Sequence, residues 1–126
     1  MRLFVSFRGR KILIDVKKTG FISRGTGLTF RTRNAKNLLF DFSKLVTWQG
    51  NITSWFVFFP FLILWLDKNN KVIDFKVVEP FTFCIKQKKK FYKIVEIPFN
   101  NKNKEIIVRF IGNQKFLKHF RRKKRY

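Results

Sequence analysis

The chain reads as mainly β: a small single-domain sandwich or barrel with a short helical turn and a basic C-terminal tail. Three observations predict this class. Short apolar runs alternate with period two rather than 3.6. Those runs are rich in aromatic and branched residues, with 18 Phe and 3 Trp among 126 residues. Turn residues recur between them at short intervals, leaving no segment for the crossover helices of a parallel α/β sheet. A hydrophobic content of 45% supports one real core, and the length excludes a second domain of ordinary size. The expected division is a β domain over residues 1–112 and a tail over 113–126.

The elements follow in order. Leu3, Val5 and Phe7 alternate with Arg2, Phe4 and Ser6, and Ile12, Ile14 and Val16 alternate with Lys11, Leu13, Asp15 and Lys17. Arg8-Gly9-Arg10 links the two runs, so they form a β-hairpin. Residues 21–33 carry Gly25-Thr26-Gly27 among cations and read as a loop with one helical turn. A short strand is expected at 38–42, and two more at 52–59 and 61–66. Pro60, which has no N–H to give a ladder, belongs at a bulge, bend or strand start. Asp67-Lys68-Asn69-Asn70 turns the chain into a strand over 71–78. Strands over 81–85 and 91–97 flank the loop Lys86-Gln87-Lys88-Lys89-Lys90. Asn100-Asn101-Lys102-Asn103-Lys104 makes a further turn before a last strand at 105–111. From Gly112 onward there are seven Lys or Arg and no acid. Phe116, Leu117 and Phe120 fall at helical spacing and dock one turn, with the remainder a solvated tail.

Several function classes are excluded by inventory. A single Cys84 excludes a disulfide scaffold, and with a single His119 it excludes a Cys/His zinc site. Residues 1–8 meet charge too early for a secretory signal. Residues 45–66 hold no charge over 22 positions, the length of a bilayer span. Thr47, Gln49, Gly50, Asn51, Thr53 and Ser54 make their first half polar, however, so a membrane span is not expected and the protein is read as cytoplasmic. Asn51-Ile52-Thr53 matches a glycosylation sequon, best taken as a chance tripeptide without export.

Catalysis is not expected. The acids Asp15, Asp41, Asp67, Asp74, Glu79, Glu96 and Glu105 stand apart in sequence. Asp67 and Asp74 flank one hairpin, where turn chemistry and pairing with nearby lysines explain them. Gly20, Gly25 and Gly27 lack the spacing and the Lys-Ser/Thr of a phosphate loop. No cofactor, metal or small-molecule substrate is implied.

The order of motifs resembles a known family. Gly27-Leu28-Thr29-Phe30-Arg31 is similar to a Gly-Leu-Met-x-Arg signature, and Leu39-Phe40-Asp41-Phe42 to the Leu-Phe-x-Phe that follows it. Pro60 to Asp67 with Lys71-Val72-Ile73 is similar to a Pro-Leu-Asp-Ile-x-Phe-Leu-Asp…Lys-Val-Val block, and Tyr92 to Pro98 to Tyr-Val-Leu-Glu-Leu-Pro. Together they resemble domain of unknown function 192 over residues 11–112. The resemblance implies a compact β-sandwich or barrel and no established activity. It also implies a polar run before Pro60 and an Asp shortly after it. Here Thr53-Ser54-Trp55-Phe56-Val57 and Leu62 stand at those places, so a polar family site there is lost.

The dominant feature is a formal charge of +22, from 29 Lys and Arg against 7 Asp and Glu. Solubility alone asks a small domain for a net charge of only about 2 to 8. The cations fall into blocks: Arg2, Arg8, Arg10 and Lys11; Lys17, Lys18, Arg24, Arg31, Arg33 and Lys36; Lys86, Lys88, Lys89, Lys90 and Lys93; and Lys115, Lys118, Arg121, Arg122, Lys123, Lys124 and Arg125. Such blocks suit phosphate neutralisation. No helix-turn-helix, finger or basic helix enters a duplex groove, which favours RNA. The expected function is a non-catalytic RNA-binding structural protein, a component of a ribosome or similar ribonucleoprotein, with ribosomal RNA and neighbouring proteins as partners. Phe21, Phe30 and Tyr126 are candidates to stack on bases. The alternative is a peripheral protein that holds anionic membrane surfaces through the same basic patches.

Overall fold

The structure, a computed structural model, describes residues 1–19, 36–46, 59–79 and 87–124. Strands β1 (Arg2–Phe7), β2 (Arg10–Thr19), β3 (Asn37–Val46), β4 (Phe61–Leu66), β5 (Val72–Val78) and β6 (Phe91–Pro98) form one sheet in the order β1-β2-β3-β6-β4-β5. Neighbours run antiparallel except β2 and β3, which are parallel. The sheet curls until its edge strands approach each other. Ser6 N–H donates to the Asn70 carbonyl at 2.9 Å, and Ser6 bridges Lys71. The protein is thus mainly β, a half-barrel in a small single domain, as the alternating runs predict.

The inside of the curl is where all six strands meet. Leu3, Val5, Ile12, Ile14, Val16, Leu39, Leu62, Leu64, Leu66, Val95 and Ile97 share one buried cluster there. Leu38, Phe40, Phe61, Ile63, Trp65, Phe91 and Ile94 form a second cluster on the other face. Strand β4 is buried along both faces, which is why its sequence, FLILWL, is a continuous apolar run without alternation. Pro60 sits immediately before β4, its carbonyl taking the Phe99 N–H at 3.0 Å. The hairpin between β1 and β2 turns on Arg8 and Gly9 with φ of 50° and 77°. Two successive positive φ values match the right-handed twist of the flanking strands.

The segment expected as a last strand is helical. After a 3-10 turn at Asn101–Asn103 the chain forms α1 (Lys104–Ile111) and α2 (Asn113–Lys124). A strand over 105–111 would send Ile107 and Phe110 to opposite sides, whereas both are buried in the inner cluster. Phe110 meets Phe7 at 4.4 Å and Phe75 at 5.5 Å, so α1 fills the concave side of the sheet. Gly112, at φ 89°, reverses the chain into α2. Phe116 then stacks on Phe99 at 5.5 Å, Phe120 stacks on Phe116 at 5.4 Å, and His119 pairs with Glu79. The segment expected to dock a single turn is therefore a helix of 12 residues anchored by Phe116.

Other expectations fall elsewhere. The loop at 21–33 and the strand at 81–85 lie outside the described residues, as does the strand at 52–59 apart from Phe59, a buried bend residue. Residues 61–66, the last six of the bilayer-length stretch, are a strand paired on both sides. Among the described residues no helix is long and apolar enough to cross a membrane.

Candidate functional site

Strand register gathers one set of cations at one end of the sheet. The pairs Arg2↔Asp15 and Val16↔Asn37 bring the start of β1, the end of β2 and the start of β3 together. The 3-10 turn after β6 closes the same end. A concavity of about 890 Å³ results, lined by Arg2, Lys17, Lys18, Lys36 and Lys102, with Asp15 its one acid among the described residues.

The floor of this concavity is built from buried carboxamides. Asn37 Nδ2 donates to Asn103 Oδ1 at 3.2 Å, and Asn103 Nδ2 donates back to Asn37 Oδ1 at 2.9 Å. The same amino groups reach the Asp15 carbonyl at 3.0 Å and the Pro98 carbonyl at 2.8 Å. Asn100 Oδ1 takes the Asn103 N–H at 2.9 Å, which starts the turn. Buried amides this fully paired hold three segments in fixed relation. Five basic side chains around a neutral polar floor present donors of the kind that phosphate oxygens accept.

A second cationic group lies at the opposite end. Arg8 lies in the β1–β2 turn and Arg10 starts β2, with Lys11 next, while Lys88, Lys89 and Lys90 are exposed just before β6. The Ser6–Lys71 bridge and the hydrogen bond from Lys93 Nζ to Asn70 Oδ1, 2.7 Å, put these segments at one end. Lys89 Nζ donates to the Ile73 carbonyl at 3.3 Å, and the Arg8 guanidinium covers the Phe7 ring at 4.8 Å. The length of β1, roughly 20 Å, separates the two groups. Sequence reasoning placed Arg2 with Arg8 and Arg10 in one block; the strand between them divides that block. Lys115 and Lys118 are exposed on α2, and Arg121, Arg122, Lys123 and Lys124 belong to its last turn. Arg24, Arg31, Arg33, Lys86 and Arg125 lie outside the described residues.

Sequence reasoning placed Lys17, Lys18 and Lys36 in one block, left Lys102 out of every block and read Asn100 to Lys104 as a plain turn. Lys102 and the three asparagines had one available signal, the density of Asn in a segment that must end β6 and start a helix.

Asp67 and Asp74 have structural partners. Asp67 Oδ1 takes the N–H groups of Asn69 and Lys71 at 2.8 and 2.9 Å, and Asp74 takes the Phe75 N–H and the Gln87 amide. No group of three or more His, Cys, Asp or Glu gathers to hold a metal among the described residues. Glu96 differs from the other acids. Register sets it between Leu38 and Ile63 in the second cluster, buried, with Oε1 lacking a hydrogen-bond partner among the described residues. Burial pushes its carboxyl up from 4.5 to about 8.

No protein-family model matches the chain. No curated protein matches it either. Two solved structures share its fold. One is a protein of unknown function from Novosphingobium aromaticivorans, with a TM-score of 0.67 and 12% identity over 85% of this chain and 78% of that one. Another is described as a putative transcription regulator from Sinorhizobium meliloti, with a TM-score of 0.66 and 17% identity over 83% of this chain and 82% of that one. At such identities the likeness establishes the fold alone.

Three of the four motif blocks occupy β3, β4 with the start of β5, and β6; the first, Gly27 to Arg31, lies outside the described residues. Leu62, where the resembled family carries Asp, is fully buried in the inner cluster. A carboxylate there would be uncompensated.

Proposed function

We propose that this protein is a non-catalytic RNA-binding structural protein, a component of a ribosome or similar ribonucleoprotein, on the scaffold of domain of unknown function 192. The observation that carries the reading is the concavity bounded by Arg2, Lys17, Lys18, Lys36 and Lys102 over the Asn37–Asn103 floor. Its donors suit phosphate oxygens, and a net charge of +22 adds a long-range field that draws polyanions. The second cationic group, at the far end of β1, widens the footprint beyond a single phosphate. Affinity in this mechanism comes from neutralised phosphates and released counterions, so it is strong, poor in sequence preference and sensitive to salt.

Sedimentation through a sucrose gradient tests the proposal. Tagged protein is expected to travel with ribonucleoprotein particles and to fall to the free position after ribonuclease treatment. Free migration in both gradients would overturn it. Flotation with anionic vesicles after nuclease treatment covers the membrane alternative, and flotation that needs no RNA would replace the proposal with that one.

A further inference from the structure

The outer face of the β1–β2 hairpin carries an exposed aromatic residue in a cationic frame. Leu3 and Val5 point into the core, so the alternation sends Phe4 outward, where it is 60% exposed. Its cross-strand partner is Leu13, 41% exposed on the same face. An exposed Phe beside an exposed Leu costs hydration and adds nothing to the core. Around this pair stand Arg2, Lys11 and Lys17, with Asp15 opposite Arg2 and Ser6 opposite Lys11. Arg2 lies about 7 Å from Phe4 along β1. Arg2 and Leu13 also line the basic concavity, while Arg8 and Arg10 end the hairpin at the other side. The face is thus the path along the hairpin between the two cationic groups.

We infer that Phe4 is a base-stacking residue and that this hairpin face binds single-stranded RNA, one base lying on the Phe4 ring against Leu13 while flanking cations hold the adjoining phosphates. The inference rests on the RNA-binding reading and deepens it by naming the form of RNA and the residue that reads its bases. Charge complementarity selects a polyanion. The aromatic ring at the centre selects one with flat π faces free to stack, which a duplex keeps within its own stack. Phe21, Phe30 and Tyr126, the aromatic residues singled out from sequence, lie outside the described residues.

The test compares two polyanions, a single-stranded oligoadenylate and inorganic polyphosphate, which carries charge without bases. Phe4→Ala is expected to weaken oligoadenylate binding about 5- to 20-fold and to leave polyphosphate binding unchanged. Phe4→Trp should restore the affinity, with its indole fluorescence quenched on binding. Phe4→Thr keeps a strong strand former at the position and should behave like Phe4→Ala, which covers any loss of folding in the latter. Equal oligoadenylate affinity for all variants would overturn the stacking role and leave the RNA-binding reading standing. Equal losses on both polyanions would also overturn it. Failure of the unsubstituted protein to bind either polyanion would overturn the underlying reading itself.

Discussion

Glu96→Gln should convert a pH-dependent stability into one nearly flat through the neutral range. Strand register places the Glu96 carboxyl between Leu38 and Ile63, with Ile94 and Pro98 flanking it along β6. Its Oε1 is buried without a partner among the described residues, as is Trp65 Nε1 on the same face. A charge in that setting loses its hydration, with no partner for Oε1 among the described residues, so the native state holds the proton up to about pH 8 while the unfolded chain releases it near 4.5. Below 4.5 both states are protonated and the full stability is present. Above it, ionisation of the unfolded chain draws the equilibrium away from the fold by about 1.4 kcal/mol per pH unit. The loss reaches the order of 4 kcal/mol by pH 8 and then levels off as the native carboxyl ionises. Gln keeps the shape and does not titrate; any cost of its buried amide is a constant offset. Urea titrations of both proteins at one-unit steps from pH 4 to pH 8, at fixed ionic strength, give the difference directly. The balance should shift steadily toward the Gln variant as pH rises. A difference independent of pH between 4.5 and 8 would refute the reasoning, because the carboxyl would then ionise as readily in the fold as outside it.

Three substitutions test the remaining architecture. Phe116→Ala removes the ring stacked on Phe99 and should cost about 3–5 kcal/mol in a denaturant titration, with α2 losing its anchor. Gly112→Ala meets no atom within 4 Å of the added Cβ, yet φ 89° and ψ 159° suit glycine alone, so thermal unfolding should reveal a penalty of about 1–3 kcal/mol. Asn103→Ala strands Asn37 Oδ1 and the Pro98 carbonyl; urea unfolding should show a loss of about 2–4 kcal/mol, with weaker RNA binding as the concavity loses its floor.

Most of the sheet was legible in the sequence because burial on one side leaves a period of two. Leu3, Val5, Ile12, Ile14 and Val16 announce β1 and β2 in this way, and Arg8-Gly9 announces their turn. Strand β4 was readable for another reason: six apolar residues between Pro60 and a polar turn are too few for a buried helix. Helix α1 was not readable as such. Ile106, Ile107, Val108 and Ile111 are branched residues that favour strands locally, and packing of Ile107 and Phe110 inside the curl overrides that preference. The pair Glu105 and Arg109, four apart with the acid first, was the helical signal present. Parallel pairing of β2 with β3 leaves no local trace, since it depends on the chain between them. The same limit applies to the site. Arg2, Lys36 and Lys102 are far apart in sequence and share one concavity only through register. Phe4 was legible as outward-facing, but nothing in the alternation assigns an outward residue a role.

The placement of the cations separates two uses of charge. Spread evenly, a charge of +22 would only keep the chain soluble while straining the fold. Cations set around a pocket, at a hairpin tip and along the face between them would, on the proposed RNA-binding reading, form a track for a phosphate backbone.

The most direct measurement is the affinity for a short single-stranded RNA as a function of salt, on the full chain at neutral pH. The five concavity cations, each meeting a phosphate, should contribute about −3.5 to the slope of log affinity against log salt. That is a loss of roughly 100-fold between 50 and 200 mM salt. Replacing Lys17, Lys18, Lys36 and Lys102 by Gln should make the slope shallower by about 2.8, the share of four phosphate contacts. An affinity indifferent to salt, or a slope unmoved by those four replacements, would contradict the assignment of this surface to RNA phosphates.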